Sequence, residues 1–151
     1  MPFITFAWTT PALLAGAKTV VRQPWSEKKA KQFHAGTLAT AYDRAPYLGG
    51  RPVAVIRLTE DPVRQPLTEM TDGDYETEGW HWLYEHRDQL PGWIRASDFS
   101  REAFDAWRAR AGAVWVLRFE VVAITSTGDQ AAEAIAGGMA VTPVMSTVKA
   151  A

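Results

Sequence analysis

The sequence is defined first by what it lacks. It has no cysteine, which excludes disulfide bonds, thiolate metal sites and a cysteine nucleophile. No apolar run approaches the roughly 18 residues that a membrane-spanning helix needs, and the first eight residues lack the basic and apolar regions of a secretory signal. Glycine-rich dinucleotide or phosphate loops and a serine-centred elbow are missing as well. These absences favour a cytoplasmic protein with no membrane partner and no cofactor.

Imidazoles, the commonest metal ligands, are also scarce. Of the three histidines, His81 and His86 are five residues apart, so on a helix they point about 140° apart and cannot hold one ion. The carboxylates of the same region, spaced by two residues, scatter around a helix and are typical of a solvated acidic face. The sequence therefore predicts no metal site.

What is present fits one globular domain. A chain of 151 residues buries roughly 68–70% of its unfolded surface, and seven tryptophans supply large side chains that we expect mostly in the core. Residues 1–59 carry eight Lys or Arg against two acidic residues, whereas the rest carries eight against fifteen. This asymmetry predicts a positive face suited to phosphate, unless the two halves interleave in space and their charges mix.

Hydrophobic periodicity predicts strands on both sides of a helical insert. The predicted strands are 3–8, 19–22, 37–42, 51–59 and 113–124, and the predicted helices are 10–18, 26–33, 71–90 and 100–110. This order favours an α+β fold with a mixed sheet over repeated βαβ units. The segment from Thr125 is rich in alanine and glycine. We therefore expect a domain at 1–125 and a loosely ordered C-terminal tail at 126–151.

Residues 14–22 are the most informative stretch. A short helix with a glycine near its end leads into a strand that carries Lys18 and Arg22. Strand periodicity puts both cations on one side, about 13 Å apart at full extension. That spacing suits more than one phosphate, and the alternative is a solvated strand edge.

The same stretch, LLAGAKTVVR, resembles the glycine-lysine-threonine signature of the ASCH domain, a member of the PUA-like β-barrel group. Further matches follow in the expected order over residues 4–124: Trp25, the strand GRPVAVIRLT after a Gly-Gly turn, the motif Glu78-Gly79-Trp80 and the closing strand WVLRFEVV. The resemblance implies a PUA-like mixed β-barrel with flanking helices.

The resemblance also carries functional expectations. ASCH relatives are implicated in RNA binding, and some are amidohydrolases that deacetylate acetylated cytidine. For that hydrolase branch the resemblance implies a lysine, a threonine nucleophile three residues later and a glutamate, which correspond to Lys18, Val21 and Glu78. A valine cannot attack a carbonyl, and the side chain of Thr19 is displaced by about 6.6 Å along the strand. Binding is therefore favoured over an amidohydrolase or a ribonuclease.

The resulting hypothesis is a basic cleft that recognises RNA or a nucleoside. In it Lys18 and Arg22 hold an anion, Glu78 accepts a hydrogen bond from a base edge, and an aromatic side chain stacks on the base, worth about 1–3 kcal/mol. The candidate ligand-binding residues are Lys18, Thr19, Arg22, Trp25, Tyr42, Glu78 and Trp80. Lys18 and Glu78 are the catalytic candidates if the protein is an enzyme. The alternatives are a structural bridge at Glu78, a core position for Trp80, and an adaptor that binds another protein.

Overall fold

The structure is a computed structural model that describes residues 1–95 and 98–124. The predicted tail at 126–151 lies outside the described residues. The strands are β1 Phe3–Thr5, β2 Val20–Gln23, β3 Leu38–Tyr42, β4 Pro52–Leu58, β5 Val63–Pro66 and β6 Ala113–Ile124. The α-helices are α1 Thr10–Leu14, α2 Glu27–Ala30, α3 Asp74–Thr77, α4 Trp80–Glu85, α5 Gly92–Arg95 and α6 Arg101–Arg108, and 3₁₀ turns occupy Ala7–Thr9, Pro46–Leu48, Leu67–Glu69 and Arg87–Gln89.

The strands form a mixed, barrel-like sheet in the order β1-β3-β4-β6-β2, with β5 also paired to β6. β1 and β3 are parallel, and the other pairs are antiparallel. The first half of β6 pairs with β2 and β5, and its second half pairs with β4. The fold is therefore α+β, as the sequence predicts, with β1 and β2 as the two terminal strands of the sheet order.

Two clusters of buried side chains make up the core. The first lies on the inner face of the sheet, where the alternating side chains Ala54, Ile56 and Leu58 of β4 are buried. The second lies beneath the helical insert and centres on Leu83 and Phe104, both fully buried. Burying this second set holds the short helices of the insert, which are too short to be stable alone, against the sheet.

The helices predicted from residues 26 and 100 begin at these positions, where a serine caps each one. Ser26 and Ser100 both accept a hydrogen bond from a backbone N–H three residues later. Two other predictions were wrong. The first strand ends at Thr5, because the chain turns into a 3₁₀ helix at Ala7, whose φ is +47°. The single helix at 71–90 is interrupted at Gly79, where φ is +87°.

Tryptophan burial also differs from the prediction. Only Trp80 of the seven is buried, at 8% exposed, whereas Trp93 is 58% exposed and the remaining five are half-buried. An indole is large and carries one polar N–H, so it often lies at the boundary between core and solvent. Two of the half-buried rings, Trp8 and Trp107, pack against the second core cluster and line a cavity at its edge.

The two charge halves of the sequence interleave in space where their ions pair. Arg57 on β4 contacts Glu120 on β6 at 2.9 Å, and two further cations of the first half pair with one carboxylate of the insert. For these residues the mixed-charge alternative holds, because β4 and β6 are neighbours in the sheet. Within the described residues, no helix is both long and apolar enough to cross a membrane.

Candidate functional site

Lys18, Arg22 and Glu78 meet in one buried cluster. The Lys18 Nζ donates to Glu78 Oε1 at 2.8 Å and to the Glu78 backbone oxygen at 3.0 Å. The Arg22 guanidinium donates to the other carboxylate oxygen, Oε2. Lys18 and Glu78 are each 3% exposed and Arg22 is 9% exposed. The two cations therefore share a single carboxylate and are not spread along a strand edge to contact separate phosphates.

The break between α3 and α4 creates this arrangement. Glu78 follows the last residue of α3, and Gly79 then takes a left-handed conformation that starts α4 in a new direction. A Cβ at Gly79 would lie 2.6 Å from the Cβ of Ala12 and 3.2 Å from that of Lys18. Only glycine fits this contact and this backbone conformation. The Thr19 N–H donates to the Thr77 oxygen at 2.9 Å and joins the same two segments.

A second carboxylate balances the charge of the cluster. Asp74 lies 3.4 Å from the Arg22 guanidinium and 4.0 Å from that of the partly exposed Arg118, so the two buried cations face two carboxylates. Burial tends to raise the pKa of Asp74, but hydrogen bonds from Thr71 and Thr77 and the charge of Arg22 outweigh it and hold that pKa below its usual 3.8. Such balance is expected for ions removed from water, since an unpaired buried charge is costly.

A cavity of about 700 Å³ opens beside the cluster. Lys18, Arg22 and Glu78 form its polar wall, and half-buried or buried indoles of Trp8, Trp80 and Trp107 form an aromatic wall. The full lining is Thr5, Phe6, Ala7, Trp8, Thr9, Lys18, Val21, Arg22, Gln23, Glu78, Trp80, Asp98, Ala103, Ala106, Trp107 and Arg110. Residues of β1 and β2 both contribute, so the cavity lies between the terminal strands of the sheet order.

The aromatic wall is built by ring stacking. Trp80 and Trp107 are parallel within 3°, with centroids 5.3 Å apart, and Trp8 meets Trp80 edge-on at 5.3 Å. Phe104 supports both Trp80 and Trp107 from the core side at 5.5 and 5.9 Å. These contacts fix the rings in place, which makes the wall a rigid surface for a planar ligand.

The polar wall keeps unused hydrogen-bond donors. An ammonium group has three N–H donors, and those of Lys18 have two acceptors among the described residues, both in Glu78. The Arg22 Nε is buried without an acceptor in the described part of the chain, although its terminal nitrogens bind Glu78 and Gln65. Buried donors are normally satisfied, so this wall is suited to a ligand that brings an acceptor such as a carbonyl oxygen.

The structure places four of the seven predicted ligand-binding residues at this cavity, namely Lys18, Arg22, Glu78 and Trp80. The other three do not line it. Trp25 packs on Phe33 at 4.6 Å beneath the Lys29 ammonium, and Tyr42 packs edge-on against Phe3 at 5.6 Å. Thr19 is exposed and is tied in through its backbone.

Sequence reasoning missed the contribution of α6 and the turn after it. Ala103, Ala106, Trp107 and Arg110 follow the spacing of one helical face, and all four line the cavity. The signal was visible in the sequence: two alanines on one face leave room that larger side chains would fill. Asp98 was missed too, and hydrogen bonds from Ser100 hold its pKa below the usual value.

Comparison with known proteins adds little to this geometry. No family model matches the chain, and no curated protein matches its sequence. It is similar to the crystal structure of protein EF3133 from Enterococcus faecalis V583, described under the label DUF984. The identity is 19%, and the match covers 81% of this chain and 77% of that chain with a TM-score of 0.47. That score is too low to carry an argument about family or function.

No metal-ligating group was found within residues 1–95 and 98–124, in the sense of three or more acidic or histidine side chains placed around one point. His81 contacts two acidic neighbours, Glu76 at 3.2 Å and Glu85 at 3.1 Å. The His86 ring instead stacks on Trp82 with centroids 4.1 Å apart. The two imidazoles therefore serve separate local contacts on the exposed side of α4.

Proposed function

We propose that this chain is an ASCH-like module of the PUA-like group that binds a nucleoside, or one unstacked base of an RNA, in the cavity beside Lys18. One observation carries the proposal: a buried lysine with an unused donor faces a space of about 700 Å³ that has indole walls. Small-molecule sites commonly span about 300–1,000 Å³ and combine an apolar lining with a few fixed polar groups.

A nucleobase matches both walls of the cavity. Its flat face stacks on the ring system of Trp80 and Trp107, a contact worth about 1–3 kcal/mol per base. A base carbonyl accepts the third N–H of Lys18, and an exocyclic amine donates to a remaining lone pair of Glu78. Recognition in this form needs no net positive charge, which agrees with a cluster whose two cations face two carboxylates.

The alternative function is hydrolysis of a modified nucleoside amide. The contact of 2.8 Å between Lys18 and Glu78 favours it, because a lysine and a glutamate in contact can transfer a proton. Val21 also lines the cavity but offers only methyl groups, so the covalent route lacks its nucleophile. Release of acetate from acetylcytidine by the wild-type protein, abolished in Glu78→Gln, would establish the hydrolase and overturn the binding proposal.

The binding proposal is tested by titrating each of the four ribonucleosides into the protein and following the quenching of its tryptophan fluorescence. The decisive variant is the double substitution Lys18→Met with Glu78→Gln, which removes the donor and keeps the cluster neutral through the Arg22–Asp74 pair. We expect at least one nucleoside to bind the wild type and to lose about 10- to 150-fold in affinity in this variant, as fits one buried hydrogen bond to a charged group.

The matched control is Lys31→Met with Glu27→Gln. It removes the same two charges from an ion pair of 3.1 Å on the surface of α2, where both side chains are mostly exposed. We expect unchanged affinity there. Equal affinity in the wild type and the buried double variant, with circular dichroism showing both folded, would refute the proposed site.

A further inference from the structure

A second, smaller cavity adjoins the first. It has a volume of about 350 Å³ and is lined by Ala7, Asp43, Arg44 and Trp93. Ala7 lines both cavities, so they meet along one exposed residue. Its φ of +47° is unusual for a residue other than glycine. A strained backbone of this kind persists only where the surrounding structure holds it, and such residues concentrate at ligand sites.

The groups in the second cavity differ from those in the first. Trp93 is 58% exposed, which is high for an indole. Arg44 is also exposed and forms no ion pair among the described residues. Asp43 turns one carboxylate oxygen to the Arg51 N–H at 2.8 Å and so is held by the main chain. An exposed indole beside an exposed cation suits one stacked base and one phosphate.

We propose that the second cavity is the subsite for the neighbouring nucleotide of a single-stranded RNA, whose first base occupies the main cavity. Its base stacks on Trp93, and the phosphate that joins the two nucleotides pairs with Arg44. The RNA backbone between the two nucleotides passes over Ala7, which lines both cavities. Its methyl side chain is small enough to leave space for that backbone. This inference rests on the proposed function, since a second nucleotide is recognised only if the first is bound.

The experiment compares each ribonucleoside with the dinucleoside monophosphate made of the same base, using wild type, Trp93→Ala and Arg44→Gln. We expect a dinucleotide to bind the wild type about 5- to 150-fold more tightly than its nucleoside, the range that one stacked base provides. Trp93→Ala should remove most of that excess and leave nucleoside affinity unchanged. Arg44→Gln should weaken the dependence of dinucleotide binding on salt, by about 0.7 in the log–log slope for one phosphate contact.

Two controls match these variants. Tyr47→Ala removes an even more exposed aromatic ring that does not line either cavity, and Arg64→Gln removes an exposed cation on β5. Both should leave dinucleotide affinity and its salt slope at the wild-type values. Equal loss in the controls would overturn the subsite, because it would show a general surface effect.

The outcomes separate the two proposals. If nucleosides bind but no dinucleotide binds more tightly, or if Trp93→Ala leaves the excess intact, the second subsite is wrong and the main cavity stands. If neither nucleosides nor dinucleotides bind the wild type, the proposed function fails and the subsite fails with it.

Discussion

Replacing Glu78 by glutamine tests the buried cluster directly. The substitution keeps the shape of the side chain but removes the one carboxylate that both Lys18 and Arg22 contact. The cluster then holds two cations against the single carboxylate of Asp74. Removing one partner of a buried ion pair costs about 3–5 kcal/mol, because the remaining charge is left uncompensated. We therefore expect the free energy of unfolding to fall by about that amount.

The assay is urea unfolding followed by tryptophan fluorescence, with the melting temperature as a second measure. For a chain of this length about 1 kcal/mol shifts the melting temperature by roughly 2–4 °C, which gives an expected decrease of roughly 6–20 °C. The control Glu27→Gln breaks an exposed pair with Lys31 and should cost less than about 0.5 kcal/mol.

Adding Lys18→Met to Glu78→Gln should restore part of the loss. The second substitution returns the cluster to neutrality, so the two changes are coupled by about 0.5–3 kcal/mol in a double-mutant cycle. A cost below about 1 kcal/mol for Glu78→Gln alone, the value of a surface pair, would show that the carboxylate is solvated. Additive single and double variants would contradict the shared-carboxylate geometry.

Three further predictions concern single contacts. Gly79→Ala should lower the free energy of unfolding in urea by roughly 2–4 kcal/mol, because it adds a clash with Ala12 to a left-handed φ. The control Gly49→Ala has a similar φ but open space around the new Cβ, so it should cost about 1–2 kcal/mol. Equal costs would show that the clash does not contribute. The lowered pKa of Asp74 means that its stabilising charge is complete above about pH 4 and is lost as pH falls toward the folded pKa. Asp74→Asn should therefore lose less stability than the wild type as the pH falls below about 4, and an unchanged pH profile would contradict this. Ser100→Ala should destabilise α6 by about 1 kcal/mol in the same unfolding assay through loss of its cap, and no change would show that water replaces the serine.

Local patterns predicted most of the elements. The closing strand was placed at 113–124, where the structure has it, because a long alternation of apolar side chains fits only an extended chain against a core. The caps at Ser26 and Ser100 were predictable for a similar reason: a hydroxyl oxygen satisfies an N–H within the same turn. The interruption at Gly79 was missed, since the surrounding residues suit a helix and the glycine is demanded by contact with Ala12 and Lys18.

The site residues likewise fall into those that the sequence indicated and those that tertiary packing decided. Strand periodicity pointed to Lys18 and Arg22, and the resemblance to the ASCH signature pointed to Glu78 and Trp80. Packing between distant segments decided which indoles face the cavity. Trp8 and Trp107 both contact Trp80, although they lie 72 residues before it and 27 residues after it in the chain. Trp25 and Tyr42 found partners elsewhere.

Side-chain chemistry and short-range periodicity depend only on the order of the residues, so the α+β class, the helix starts at Ser26 and Ser100 and the pair of cations at Lys18 and Arg22 could be inferred without coordinates. Whether two cations spread over a strand edge or close on one carboxylate depends on the path of the backbone at Gly79. The volume beside them depends on where packing places α6 relative to β1 and β2, since all three contribute to the cavity lining. Both are results of packing among segments far apart in the chain, where the free energy of burying apolar surface outweighs local preference.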